Sequence, residues 1–135
     1  MSDQLLHRQI TNRIIGAFYK VYNNLGPGFL EKVYENALAI ELRKMKFNVS
    51  QQQPLNVYYD GQNVGNYYAD LVVENIVILE LKVAEAINEV FEAQLLNYLK
   101  ATEIEVGLVL NFGPEPQFKR RVLTNDRKRL EIKSV

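Results

Sequence analysis

Leu6, Ile10, Ile14, Ala17, Phe18, Val21 and Leu25 recur at three- and four-residue spacings, which predicts an amphipathic helix over about residues 3–24 with Ser2 or Asp3 as its cap. Gly26-Pro27-Gly28 ends it. A second helix is predicted over about 30–46, with Leu30, Val33, Ala37, Leu38, Leu42 and Met45 as its apolar face. Alternation then takes over. Short strands are predicted around 48–52 and 55–59, Asp60-Gly61 is a hairpin signal, and the next strand ends near Val73. A turn at Glu74-Asn75 leads into a strand over 76–82. A third helix is expected over about 85–101 and a buried strand over 106–111, before Gly113-Pro-Glu-Pro116 breaks the chain. In 117–135, Phe118, Val122, Leu130 and Ile132 suggest one or two terminal strands. This order of helices, antiparallel strands, helix and strand predicts one α/β domain over 1–135, built around a mixed sheet.

Three ionisable residues break this pattern. Asp70, Glu80 and Lys82 interrupt two runs that otherwise read as buried strands. An unpaired buried charge costs several kcal/mol or more, so such residues find partners, bind a metal or change protonation state. Folding the chain about Asn75 brings Asp70 opposite Glu80, where cross-strand Cβ atoms are roughly 5 Å apart. Glu80 and Lys82, two apart, leave the same face. Two carboxylates and an amine therefore converge. Hard divalent ions take one or two protein carboxylates with waters and phosphate oxygens, and a nearby lysine can orient water or offset developing negative charge. The competing structural reading is a partly buried ion pair that fixes the hairpin register.

Composition narrows the chemistry. The 135 residues, 47% hydrophobic and 24% charged, suit a single core. The absence of cysteine excludes disulfides, thiolate zinc and a cysteine nucleophile, and the lone His7 excludes histidine-rich metal chemistry. Met1-Ser-Asp-Gln leads into an amphipathic segment, and no run reaches transmembrane length, so a soluble cytoplasmic protein without membrane partners is expected. Sixteen basic and sixteen acidic residues cancel, which argues against coating nucleic acid by bulk charge. Lys119-Arg120-Arg121, Arg127-Lys128-Arg129 and Lys133 nevertheless gather positive charge near the C-terminus, either a phosphate-binding surface or a solvated segment.

Gly28-Phe-Leu-Glu31-Lys-Val-Tyr34, with Glu35-Asn-Ala-Leu, Ala69-Asp70, Glu80-Leu-Lys82, Gln94-Leu-Leu-Asn-Tyr98-Leu-Lys and Asn111-Phe-Gly, resembles the GxxExxY proteins over nearly the whole chain. That group is similar to a compact branch of the PD-(D/E)XK nuclease-like superfamily. The resemblance implies a restriction-endonuclease-like core, a mixed central sheet flanked by helices, and magnesium-dependent phosphodiester hydrolysis, with manganese able to substitute. It implies Asp70 and Glu80 as acidic metal ligands, Glu31 as the helical acid completing the shell, and the Leu81 carbonyl as a further ligand. Lys82 matches the lysine that positions water or stabilises the transition state. Gln94 and Tyr98 match the Gln-x-x-x-Tyr element found beside the active site of RecB-like nucleases. One departure is Phe91, where many relatives carry histidine before Glu-Ala-Gln.

Other residues carry bland and sharp readings side by side. Glu31, a first-turn acid, also suits the helix dipole, and Glu35, one turn on, either supports the site or is solvated. Tyr34 lies between Leu30 and Leu38 and reads as core, its hydroxyl free to hold a ligand carboxylate. Gln94 shares a stripe with Ile87, Phe91, Leu95 and Tyr98 and there requires a partner. The leading expectation is a nuclease acting on DNA or RNA. Its alternative is a catalytically inactive nuclease-like module that binds nucleic acid or protein, including as a homodimer through a sheet edge or helix face.

Overall fold

The computed structural model describes Asp3 and residues 5–128. Helix α1 spans Arg8–Leu25, starting later than its apolar spacing predicts because His7 at the N-cap is left-handed (φ 54°) and makes no capping bond. Asp3 pairs with Arg127 at 3.1 Å instead of capping the helix, and Ser2 lies outside the described residues. Gly26, at φ 67°, closes α1 by donating its amide to the Tyr22 carbonyl at 2.7 Å. This positive φ is the conformation that glycine adopts without a Cβ penalty.

Helix α2, Glu31–Lys44, buries Leu38 and Leu42 of its expected face together with Tyr34 and Ala39, but it is rotated so that Leu30, at 82%, and Val33, at 40%, are exposed. Tyr34 determines this rotation. Its ring stacks on Phe112 at 4.4 Å, and its hydroxyl donates to Gly26 O (2.6 Å) and accepts from Phe29 N (3.2 Å). That hydroxyl pins the loop before α2 and is not directed at a carboxylate.

The sheet runs β1 (Val49–Tyr59), β2 (Gln62–Val73), β3 (Val77–Lys82), β4 (Val106–Phe112), β5 (Pro116–Val122) in that spatial order. Only β3 and β4 are parallel, joined by α3 (Glu89–Lys100). Strand β1 is continuous where two short strands are expected, with Gln52 at φ 52° marking the interruption. The expected turns hold: Asp60 and Gly61 have φ 52° and 72°, and Glu74 and Asn75 have φ 55° and 54°. Helix α3 starts at Glu89 because the Asn88 side chain caps the amides of Val90 and Phe91. After β5 comes a short 3-10 turn, Asn125–Arg127, and Leu130 and Ile132 lie outside the described residues.

Alternation along β3 sorts the core. Val77, Leu79 and Leu81 join Leu108, Leu110 and Phe112 beneath α1 and α2, while Ile78 joins Val72, Val109, Leu95 and Leu99 on the α3 face. The same period directs Glu80 and Lys82 to the α3 face. The ends of the parallel strands are tied together by Asn111, whose amide accepts from Ala84 N and donates to Ala84 O, both at 2.9 Å. No helix among the described residues is long and apolar enough to cross a membrane.

Candidate active site

The β2–β3 ladder pairs Val73 with Val77, Val72 with Ile78 and Leu71 with Leu79, the register centred on Asn75 that the sequence suggests. One step further, side chains replace the backbone ladder. Asp70 Oδ2 accepts from the Leu81 amide at 2.8 Å, and the Asp70 amide donates to Glu80 Oε1 at 3.1 Å. Both carboxylates are thereby held where the strands separate. Glu80 is only 3% exposed. Desolvation, with the charge of Asp70 adding to it, pushes its pKa from the ordinary 4.5 up to about 8. Asp70 is also raised, because burial outweighs the hydrogen bonds from Leu81 and Gln52.

The buried ion pair does not form: among the described residues, neither Asp70 nor Glu80 makes a salt bridge. Lys82 instead extends its ammonium over the Phe91 ring, 5.0 Å from the centroid. Its charge still acts favourably on Asp70, Glu80 and Glu31. Phe91, at the departure from the histidine pattern, thus steers the lysine.

Glu31 stands in the first turn of α2, exposed, with its pKa raised by partial desolvation and then by Asp70. Glu35 is not solvated. At 4% exposed, it accepts from Lys32 (2.9 Å), Gln51 (2.8 Å) and Gln52 (2.7 Å). Burial works to raise it, but these three donors outweigh that and hold it below the ordinary range. Gln52 also donates to Asp70 Oδ1 at 3.2 Å, linking the Glu35 carboxylate to the β2–β3 pair. Sequence reasoning missed Gln52. The available signal was three successive glutamines, 51–53, in a strand otherwise headed for the sheet.

On the other side, Gln94 Nε2 donates to Tyr98 Oη at 3.0 Å, so its amide finds the partner its position requires. Desolvation and the nearby Glu80 charge push the Tyr98 hydroxyl up to about 12, keeping its proton in place. Gln94, Tyr98, Lys82 and Phe91 line a hollow of about 390 Å³ together with Tyr67. Thus Asp70, Glu80, Lys82, Gln94 and Tyr98 gather around one end of the sheet, with Glu31 approaching from α2.

The acids do not close into a group of three donors able to hold a metal ion among the described residues. Magnesium needs only one or two protein carboxylates, the remaining places being filled by water and phosphate oxygens. Two carboxylates with raised pKa values and, among the described residues, no salt bridge fit that requirement. The Leu81 amide points at Asp70, and in an extended strand the carbonyl of a residue faces the same side as its amide.

Within the C-terminal basic cluster Lys119 is exposed, while several other cations have partners inside the chain. Arg120 donates to Thr11 Oγ1 (3.3 Å), Asp3 O (2.9 Å) and Leu6 O. Arg121 pairs with Glu92 at 3.0 Å, and Lys128 donates to the carbonyls of Thr102 and Ile104. These cations fasten the N-terminus, α3 and the α3–β4 loop. Arg129 and Lys133 lie outside the described residues.

A family model described as the PD-(D/E)XK nuclease superfamily matches residues 8–122. The chain belongs to the PD-(D/E)XK nuclease superfamily. The matched span covers every helix and strand from α1 to β5, so the PD-(D/E)XK assignment and the five-stranded mixed sheet describe the same unit. Neither the curated proteins nor the solved structures gave a match.

Proposed function

We propose that this PD-(D/E)XK domain hydrolyses phosphodiester bonds of DNA or RNA with a divalent cation, magnesium or manganese, held by Asp70 and Glu80. Glu31 and the Leu81 carbonyl are the proposed additional ligands. The observation that carries the reading is the Asp70–Glu80 pair at a split in the sheet, Glu80 buried and Asp70 half-buried, with no salt bridge to either among the described residues. A divalent ion bound there supplies positive charge to the scissile phosphate and lowers the pKa of a coordinated water.

The chain's own groups supply the rest. Lys82, on the face shared with Glu80, swings from Phe91 to offset charge on the phosphate or orient the attacking water. Tyr98, kept neutral and accepting from Gln94, presents a hydroxyl proton to the substrate. Glu35 and Gln52 hold Asp70 in place. The GxxExxY assignment rests on Gly28, Glu31 and Tyr34 and the motifs that follow them.

The non-catalytic reading draws support from the absence of a three-donor group among the described residues and from Phe91 in place of histidine. In that reading β1 and β5, the sheet edges, are the candidate surfaces for a second copy. Magnesium titration by calorimetry separates the two. The nuclease reading expects binding at millimolar ion or better, lost in Asp70→Asn and Glu80→Gln and retained in Lys82→Ala; no binding to the unmodified protein favours the module.

A further inference from the structure

The hollow beside Lys82 continues away from the acids. A second hollow of about 190 Å³ is lined by Val57, Tyr67, Asn97, Lys100 and Ala101. Tyr67 and Asn97 border both, so the two form one groove between the β1–β2 arm and α3. Lys82 stands in one part and Lys100 in the other.

Tyr67 is placed for a ligand as well as for packing. It is paired with the buried Leu55 across the hairpin, and its ring lies 5.2 Å from the Tyr98 ring at 42°, yet it stays 38% exposed. The groove therefore offers a half-open aromatic surface, an adjacent amide in Asn97 and a lysine in each part. Bases stack on such surfaces only when unpaired, because in a duplex their faces are already covered. Duplex binding without base stacking depends on many phosphate contacts. Here Arg120, Arg121, Arg127 and Lys128 are occupied within the chain.

We propose that the groove between the β1–β2 arm and α3 binds single-stranded nucleic acid, with Tyr67 stacking on a base and Lys82 and Lys100 meeting the flanking phosphates. This rests on the nuclease reading for its orientation, with the strand leading toward Asp70 and Glu80. The shared chemistry is an unpaired oligonucleotide, and DNA and RNA are separate arms of the test.

The test is fluorescence anisotropy of the full chain in EDTA, with labelled oligo-dT, oligo-rU and a duplex of equal length. Preferential binding of one or both single strands is expected, the duplex being at least about tenfold weaker, with Tyr67→Leu losing roughly 5- to 100-fold and Tyr67→Phe retaining affinity. The phenylalanine variant keeps the ring face and its packing, so retained affinity assigns the contact to the ring and not to the hydroxyl. Equal or tighter duplex binding, or unchanged affinity in Tyr67→Leu, overturns the proposal. If the single-strand pattern holds but magnesium brings no cleavage, the groove stands and the nuclease reading falls. Metal-dependent duplex cleavage indifferent to Tyr67→Leu leaves the nuclease and removes the groove.

Discussion

The amide of Asp70 donates to the Glu80 carboxylate at 3.1 Å, so one acid of the pair is positioned by the backbone of the other. Removing charge from Glu80 should therefore affect function and stability in opposite directions. Glu80→Gln keeps an acceptor for the Asp70 amide while removing a buried negative charge. In metal-free protein at pH 8 or above, it is expected to melt at higher temperature than the unmodified chain, while losing cleavage. A lower melting temperature in EDTA would show that the ionised carboxylate is itself stabilising.

The same group sets a pH dependence. Its folded pKa of about 8 lies above the ordinary 4.5, so the folded protein holds this proton more tightly than the unfolded chain. Its contribution to stability is fully present below about pH 4.5 and is lost as pH rises through about 8. The full loss is roughly 5 kcal/mol at most. Melts in EDTA should show the unmodified protein falling relative to Glu80→Gln between pH 5 and pH 9, and saturating magnesium should reduce that fall. Parallel curves for the two proteins would contradict the shift.

Gln52 bridges Glu35 and Asp70 from a left-handed backbone position. Gln52→Ala leaves both acids short of a donor, an expected loss of about 1–3 kcal/mol. Weakened positioning of Asp70 is expected to reduce metal affinity or cleavage by roughly 10- to 100-fold. Calorimetry and urea unfolding read the two effects separately. Unchanged ion affinity in a folded variant would confine Gln52 to a structural role.

Gly113 follows β4 where the chain passes Ala84, and a Cβ there would lie 1.9 Å from the Ala84 carbonyl oxygen. The obstacle is backbone already fixed by Asn111, so it cannot give way as a flexible side chain would. Gly113→Ala is expected to destabilise by about 3 kcal/mol or more. Urea unfolding at neutral pH checks this, and near-normal stability would mean that the Asn111 clasp yields.

Much of this was legible in the sequence because local chemistry and tertiary packing agree there. Asp60-Gly61 and Glu74-Asn75 demand tight turns, and the second fixes the register that sets Asp70 beside Glu80. Prediction failed where distant partners override local pattern. Phe112 turns α2 onto Tyr34 and leaves Leu30 in solvent, although spacing alone makes Leu30 an apolar-face residue. Asp3 is drawn to Arg127, and Arg120, Arg121 and Lys128 are engaged by carbonyls and an acid that no spacing rule could identify. Gln52 was hidden for a related reason. The run of three glutamines, 51–53, does not say which of them matters until the fold brings Glu35 and Asp70 within reach of Gln52.

The most direct test of the nuclease account is cleavage of labelled single- and double-stranded DNA and RNA with magnesium, manganese or EDTA, alongside Glu80→Gln and Lys82→Ala. The account predicts cleavage of at least one substrate that requires the ion and is abolished by both substitutions. Cleavage that persists in EDTA or in either variant, or its absence from every substrate, would contradict it.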